Sequence, residues 1–211
     1  MNSQWMTTLL SKGLELEQSF KKNIENAQNQ LKKELENRGL RLSAADLAAL
    51  IEEFSPAASK AAVSSALEFM KPFTSGLGLR VARLSDTQVE IVVPTRTRNL
   101  NGAGHIHEAV LLATSSEASE LLWKRHAPLG TFLIETKSAK VEVLREIKEE
   151  VRVRWELSET LREKVLSDLR QTRETETDAD VRVVDDQEQI MAEVSLRLRL
   201  KHVPALNSQE S

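Results

Sequence analysis

Over residues 190–201 the chain alternates without a break. Ile190, Ala192, Val194, Leu196, Leu198 and Leu200 fall on one side, and Met191, Glu193, Ser195, Arg197, Arg199 and Lys201 on the other. A period of two sends successive side chains to opposite faces of a strand, so the segment predicts a sheet with one buried face and one wetted face. The rhythm recurs at Leu77, Leu79 and Val81; at Val89, Ile91 and Val93; and at Val151, Val153, Trp155 and Leu157, which are set against Arg152, Arg154 and Glu156. A longer strand is predicted over residues 131–144, and Val181 and Val183 lead into an Asp185-Asp186 turn. Helical spacing returns twice, from His105 to about Arg125 before Pro128, and at Leu161, Val165 and Leu169. Two strands, one long apolar helix and four further strands describe an α+β antiparallel sheet that must cover that helix. Tight βαβ repetition is missing, which argues against a doubly wound nucleotide fold.

Upstream of Pro72 the period is helical throughout. Phe20, Ile24, Ala27, Leu31 and Leu35 form an amphipathic stripe too short in heptad phase for a coiled coil, which points to docking on a body or a partner. Asn37-Arg38-Gly39 is a stop, Ser43 and Asp46 form a cap before Leu47, Leu50, Ile51 and Phe54, and Ser55-Pro56 opens a third helix running to about Met70. The organisation read from this is a helical extension over 1–71, a sheet-and-helix domain over 72–203 and a flexible tail over 204–211. With 40% hydrophobic residues in 211, a packed core needs no staple, and the absence of cysteine removes disulfides, thiolate metal sites and thiol nucleophiles. Lys and Arg total 29 against 32 Asp and Glu, a net charge of −3, so the basic excess of a nucleic-acid binder is missing and no such partner is expected. No apolar run approaches the roughly 20 residues of a membrane span, and the opening Met1-Asn2-Ser3-Gln4 is no secretory signal, so a cytoplasmic location is expected.

The long helix carries the chemistry of interest. At about 100° per residue, Glu117 falls in one sector with Ile106, Val110, Ala113 and Leu121, and Leu111, Ala118 and Leu122 widen the apolar arc. A carboxylate facing apolar surroundings is disfavoured as an anion, which tunes it toward work as a general base or acid near neutral pH. The plainer alternative is a partly covered face on which Glu117 reaches water or Lys124. Ser116 points away from this sector, where it caps, bonds locally or meets a ligand. Ahead of the helix, Gly102 and Gly104 permit close backbone approach, and helix-start amides without intrahelical acceptors can polarise a carbonyl or bind an anion. An ordinary loop and helix start would look the same. Gly102-Ala103-Gly104 completes neither a dinucleotide fingerprint nor a phosphate loop. His105 and His107, two apart, diverge on a helix, so no metal site is expected, and either serves a substrate, a cap or the surface. Trp5, Trp123 and Trp155 lie beside apolar stripes and read as packing residues.

The order of elements and the segment from Pro94 through Asn101-Gly102-Ala103-Gly104-His105-Ile106-His107 to Glu117 resemble the hotdog-fold thioesterase superfamily, above all its poorly characterised thioesterase-like branch, over about residues 72–202. The resemblance implies an antiparallel sheet wrapped around a long central helix, a homodimer or dimer of dimers formed by sheet pairing, and acyl-thioester sites at the subunit interface. Asn101 and His107 match parts of the family's loop pattern, and Gly104 matches the glycine before its histidine. Glu108-Ala109 replace the usual glycine pair, and strict register puts Ser116 where the family's acid stands; the helical wheel favours Glu117. The implied mechanism rests the carbonyl on amides near Gly104 and His105, orients it with Asn101 or His107, and has Glu117 activate water or attack. The implied substrate is an acyl-CoA or acyl-carrier thioester, with coenzyme A as part of the substrate and no separate cofactor. Arg152, Arg154, Arg197, Arg199 and Lys201 read as the solvent face of the sheet, with attraction of coenzyme A phosphates as the alternative. The rival to a hydrolase is a non-catalytic hotdog protein for acyl binding or assembly, in which the N-terminal helices do the work.

Overall fold

The computed structural model describes residues 64, 73–126 and 132–202. Apart from Ser64, the helices predicted upstream of Pro72, together with Trp5 and the tail over 204–211, lie outside the described residues. The elements are β1 (Arg80–Leu84), β2 (Gln88–Val93), a 3-10 turn (Thr97–Asn99), α1 (Glu108–Lys124), β3 (Phe132–Val143), β4 (Val151–Glu156), α2 (Glu159–Thr172), β5 (Glu174–Val184) and β6 (Ile190–His202). The six strands form one sheet in the order β1-β2-β4-β5-β6-β3, with every pairing antiparallel. This is the expected arrangement of a sheet wrapped on a central helix, and none of the described helices is long and apolar enough to cross a membrane.

The alternation of β6 is realised residue by residue. Ala192, Val194, Leu196, Leu198 and Leu200 are buried, and Val194 sits in a cross-strand row with Val181 of β5 and Val141 of β3. β5 reaches back to Glu174, well beyond the Val181 and Val183 that announce it. Its inward positions there are Thr175, Thr177 and Ala179, too small or too polar to raise an apolar signal. At the other end, Leu77 and Leu79 are buried as expected, but β1 starts only at Arg80. Gly76 and Gly78 adopt φ of +82° and +69°, which breaks the extended run.

Helix α1 starts later than its spacing suggests. Ile106 still bridges to Leu100 and donates its amide to the Ile147 carbonyl at 2.8 Å, which keeps the chain extended as far as His107, the N-cap. From there Leu111, Ser115, Ala118 and Leu122 turn to the sheet with no exposed surface. Serine and alanine at two of every four of these positions let the helix axis approach the strands closely. Two of the hydroxyls this buries bond back within the helix: Thr114 Oγ1 donates to the Val110 carbonyl at 2.7 Å and Ser119 Oγ to the Ser115 carbonyl at 2.9 Å, while Ser115 Oγ is left without a partner among the described residues. Trp123 packs at 6.1 Å from Trp155 of β4, bearing out the packing role of both. The ladder between β4 and β5 holds for three residues only, 152–154 against 182–184. α2, capped by Ser158 and stopped by Arg173 at φ +61°, connects the two strands and buries Val165 and Leu169.

The two edges of the sheet are treated differently. On β1 the Val81 amide donates to Oγ of Ser64 at 2.9 Å, and Ser64 is helical, so a side chain from the predicted third helix blunts this edge. β3, the other edge, carries no such contact among the described residues. The outer face is a ladder of ion pairs: Arg154 with Glu90 and Glu188 at 2.7 Å, Arg152 with Glu188 at 2.9 Å, Arg197 with Glu176 at 3.1 Å, Arg199 with Glu174 at 3.2 Å and Lys201 with Glu135 at 3.3 Å. Arg154, Arg197, Arg199 and Lys201 are engaged across strands and Arg152 by Glu188 of the turn between β5 and β6, as a solvated face requires.

Two outcomes follow. Leu122→Ala removes a fully buried side chain between helix and sheet and should lower unfolding free energy in urea by about 2–5 kcal/mol, whereas Glu163→Ala on exposed α2 should change it by under about 0.5 kcal/mol. Arg154, and then Arg152, hold the Glu188 carboxyl below the usual carboxylate range. The stabilisation this supplies is complete above the ordinary value and disappears as pH falls through the lowered one. The Tm of wild type should therefore approach that of Glu188→Gln as pH is taken from 6 toward 3; a constant gap across that range would contradict it.

Candidate active site

The segment between β2 and α1 is pinned by an asparagine. Asn99 has no exposed surface; its Nδ2 donates to the carbonyls of Leu77 at 2.9 Å and Pro94 at 2.7 Å, and its own carbonyl accepts from the amide of His107, the N-cap, at 2.8 Å. Asn99 thus ties the approach to β1, the end of β2 and the start of α1 together. The sequence reading passed over it in favour of Asn101. The available signal was an amide side chain amid loop carbonyls that no strand would satisfy.

Asn101 shapes the next turn. Its Oδ1 accepts from the amides of Ala103 at 3.0 Å and His105 at 3.1 Å, and its carbonyl accepts from the amide of Gly104 at 3.0 Å. The amides expected to hold a carbonyl near Gly104 and His105 are therefore loop amides already engaged by Asn101. The correction follows from the late start of α1, whose first residue is Glu108. Gly104 adopts φ +79°, and among the described residues nothing beyond the chain neighbours comes within 4 Å of where a Cβ would stand on Gly102 or Gly104. The glycines serve the turn, and the space before them is open.

His107 caps α1 through Nδ1, which accepts from the Ala109 amide at 3.0 Å. His105 points elsewhere, with Nε2 at 3.6 Å from the Glu146 carboxylate, which Lys148 and then His105 hold below the usual carboxylate range. Between this loop and the end of β3 lies a crevice of about 390 Å³. Asn101, His105 and Glu108 supply its polar side, and Val143 and Leu144, each about half exposed, form an apolar lip.

Ser116 and Glu117 lie further along α1, and both are half-buried. Ser116 Oγ is 3.1 Å from Thr136 Oγ1 of β3, so it bonds locally across to the edge strand. Glu117 sits on the flank of α1 beside Ala113 and Leu121, away from the Leu111-Ser115-Ala118-Leu122 stripe that meets the sheet. One turn on, Glu120 pairs with Lys124 at 2.7 Å. Nine residues of helix, about 14 Å, separate Glu117 from Glu108 at the crevice. Within one chain the fold therefore groups Asn101 and His105 with Glu108, with Gly104 at the turn between them, and leaves Ser116 and Glu117 apart from them. Beside Ser116 the inner face of β3 is open: Thr136, Ala139 and Val143 are exposed, although the β6 residues paired with them, Leu198, Leu196 and Ala192, are buried.

Among solved structures the chain is similar to a protein of unknown function from Pseudomonas aeruginosa described as a probable thioesterase, with 18% identity and a TM-score of 0.61 over 66% of this chain and 93% of that one. It is also similar to a protein of unknown function from Chlorobaculum tepidum, with 9% identity and a TM-score of 0.57 over 67% and 96%. A third, a candidate thioesterase from Shewanella oneidensis, has 12% identity and a TM-score of 0.50 over 74% and 94%. At these identities the likeness is one of fold, and it is the fold of thioesterase-like hotdog proteins. A comparison with curated proteins finds no match. The family model for a domain of unknown function, DUF4442, matches residues 59–200, and the chain belongs to that family.

Proposed function

We propose that this chain is a homodimeric acyl-thioester hydrolase in which Glu117 is the general base. The observation that carries the reading is a half-buried carboxylate on the wrapped helix, one residue beyond the Ser116 that meets β3, an edge strand whose inner positions Thr136, Ala139 and Val143 are exposed. A twelve-residue edge strand with an open inner face is the natural place for a second copy to continue the sheet. A two-fold axis through the middle of β3 turns the partner strand end for end and carries the partner's loop crevice toward the flank that bears Glu117. The site then takes its acid from one subunit and its loop from the other. This unites the two groups of residues that a single chain keeps about 14 Å apart.

The chemistry balances with these groups. Glu117 takes a proton from water as the oxygen adds to the thioester carbonyl, and the partner's helix-start amide at position 108 and its loop histidine face the developing oxyanion. Collapse breaks the carbon–sulfur bond, and the proton held by Glu117 passes to the departing thiolate. The thiol carrier is coenzyme A or an acyl-carrier pantetheine. A second reading, acyl binding without hydrolysis, is favoured by Asn101, whose grip on the Gly104 and His105 amides withdraws two donors from any bound carbonyl.

Glu117→Gln should lower kcat on a panel of acyl-CoA chain lengths by about 10²–10⁴-fold with an unchanged circular dichroism spectrum. Unchanged turnover would remove Glu117 from the mechanism, and tight acyl-CoA binding by a wild type that never turns over would establish the second reading. For the interface, Ala139→Glu places a charge on the open inner face of β3. Sedimentation should show a dimeric wild type and a monomeric variant with activity lost; a variant still dimeric and active would place the interface elsewhere.

A further inference from the structure

The sheet parts between β4 and β5. Their ladder covers only 152–154 against 182–184, so Glu156 would stand opposite Asp180 if the pairing continued. Instead a cavity of about 400 Å³ opens there on the outer face, with Arg154 and Glu156 on one side, Asp180 and Arg182 on the other and the buried Val184 in its lining. β5 itself begins at Glu174 and pairs with β6 along its whole length. On its other side the run 175–181 has no strand beside it among the described residues. Helix α2 turns Val165 and Leu169 into the core, and at its end Thr172 Oγ1 donates to the Glu174 carbonyl at 2.5 Å. Apart from the ladder to β6, no described residue outside β5 bonds the backbone of 175–181. A strand directs its amides and carbonyls alternately to its two sides, so about half of this run offers them to an empty side. It is a sheet edge inside the sheet.

The charge along this edge is one-sided. The outward side chains of its first half are Glu174, Glu176, Asp178 and Asp180, all exposed. Arg199 pairs with Glu174 and Arg197 with Glu176. Asp178 has no cation among the described residues, and Asp180 accepts only from the Ser195 hydroxyl, at 3.1 Å. Two carboxylates without cations thus stand two residues, or about 7 Å, apart on one face beside the cleft. A strand laid along β5 places its own outward side chains directly opposite, about 5 Å away, where opposite charges attract. The matching segment therefore carries lysine or arginine at every second position. Arg182, which has no acid partner among the described residues, stands at the closed end, so the basic positions must stop short of it. The chain's own residues after His202 include no lysine or arginine and do not match.

We propose that the free side of β5 over 175–181 takes up an extended segment of a partner protein, added as a strand beside the cleft to β4, with basic side chains at alternate positions facing Asp178 and Asp180. Main-chain bonds to β5 supply the affinity, and the two aspartates select the sequence. β6 separates this surface from β3, so the edge assigned to a second copy stays free and neither interaction requires the other. No thioester chemistry is involved.

Fluorescence polarisation on the full chain tests this with two labelled heptapeptides, one of alternating lysine and valine and one of alternating glutamate and valine. The basic peptide should bind about tenfold tighter than the acidic one or better, and amide exchange followed by NMR should slow within 175–181 when it binds. Asp178→Asn with Asp180→Asn keeps two exposed side chains of the same shape, so the circular dichroism spectrum should stay unchanged while the basic peptide weakens about tenfold. Asp178→Lys with Asp180→Lys should reverse the preference. A wild type that binds neither peptide, or both alike, overturns the proposal. So does undiminished binding of the basic peptide by the asparagine variant, or protection that appears on β3 and not on β5. Amides of β5 facing β4 that already exchange slowly before any peptide is added would show the edge filled by the chain itself, and that outcome also overturns it.

Discussion

The burial of α1 against the sheet is the contact on which the rest depends. Ten of its seventeen residues are buried, and the stripe facing the strands alternates bulky Leu111 and Leu122 with Ser115 and Ala118. A sheet can wrap a helix this closely only where the side chains between them are small, and the hydroxyl groups this brings inside must bond to the helix backbone. Thr114 and Ser119 meet this condition, while Ser115 Oγ is buried without a partner among the described residues. The same closeness fixes where the remaining flank of α1 points, and that flank carries Ser116, Glu117, Glu120 and Lys124.

Asn99 sets the second constraint. By holding Leu77, Pro94 and His107 together it fixes where α1 begins relative to β1 and β2, and so where the Asn101 turn and its crevice stand. The close approach of Arg96 to Gly78 and of Arg98 to Gly76 belongs to the same knot. The loop is therefore a rigid support, with one asparagine buried as its anchor and another folding its tip.

Much of this was legible in the sequence because its signals are periodic. The order of strands and helices, the inward rows of β4 and β6 and the packing of Trp123 and Trp155 follow from spacing alone. What spacing did not reveal has physical reasons. The first half of β5 points threonine and alanine inward, so its burial leaves no apolar trace. The start of α1 was placed at His105 because apolar spacing begins there, while the bridge from Leu100 to Ile106 keeps the backbone extended two residues longer. The site was harder still. Little in the local sequence tells Asn99, which is buried, from Asn101, which folds the turn, because one of the loop carbonyls that holds Asn99, that of Leu77, lies 22 residues upstream. The wheel sets Glu117 beside Ala113 and Leu121, which are buried, but Glu117 itself is only half-buried.

The account stands or falls on two chains sharing one site, with the carboxylate of one meeting the loop of the other. A crystal structure of the full chain with a non-hydrolysable thioether analogue of acyl-CoA tests that directly. The account predicts a β3-to-β3 dimer with the analogue's sulfur between Glu117 of one subunit and the Asn101–His105 turn of its partner. An analogue seated on the outer face of the sheet, or a dimer that leaves β3 unpaired, would contradict it.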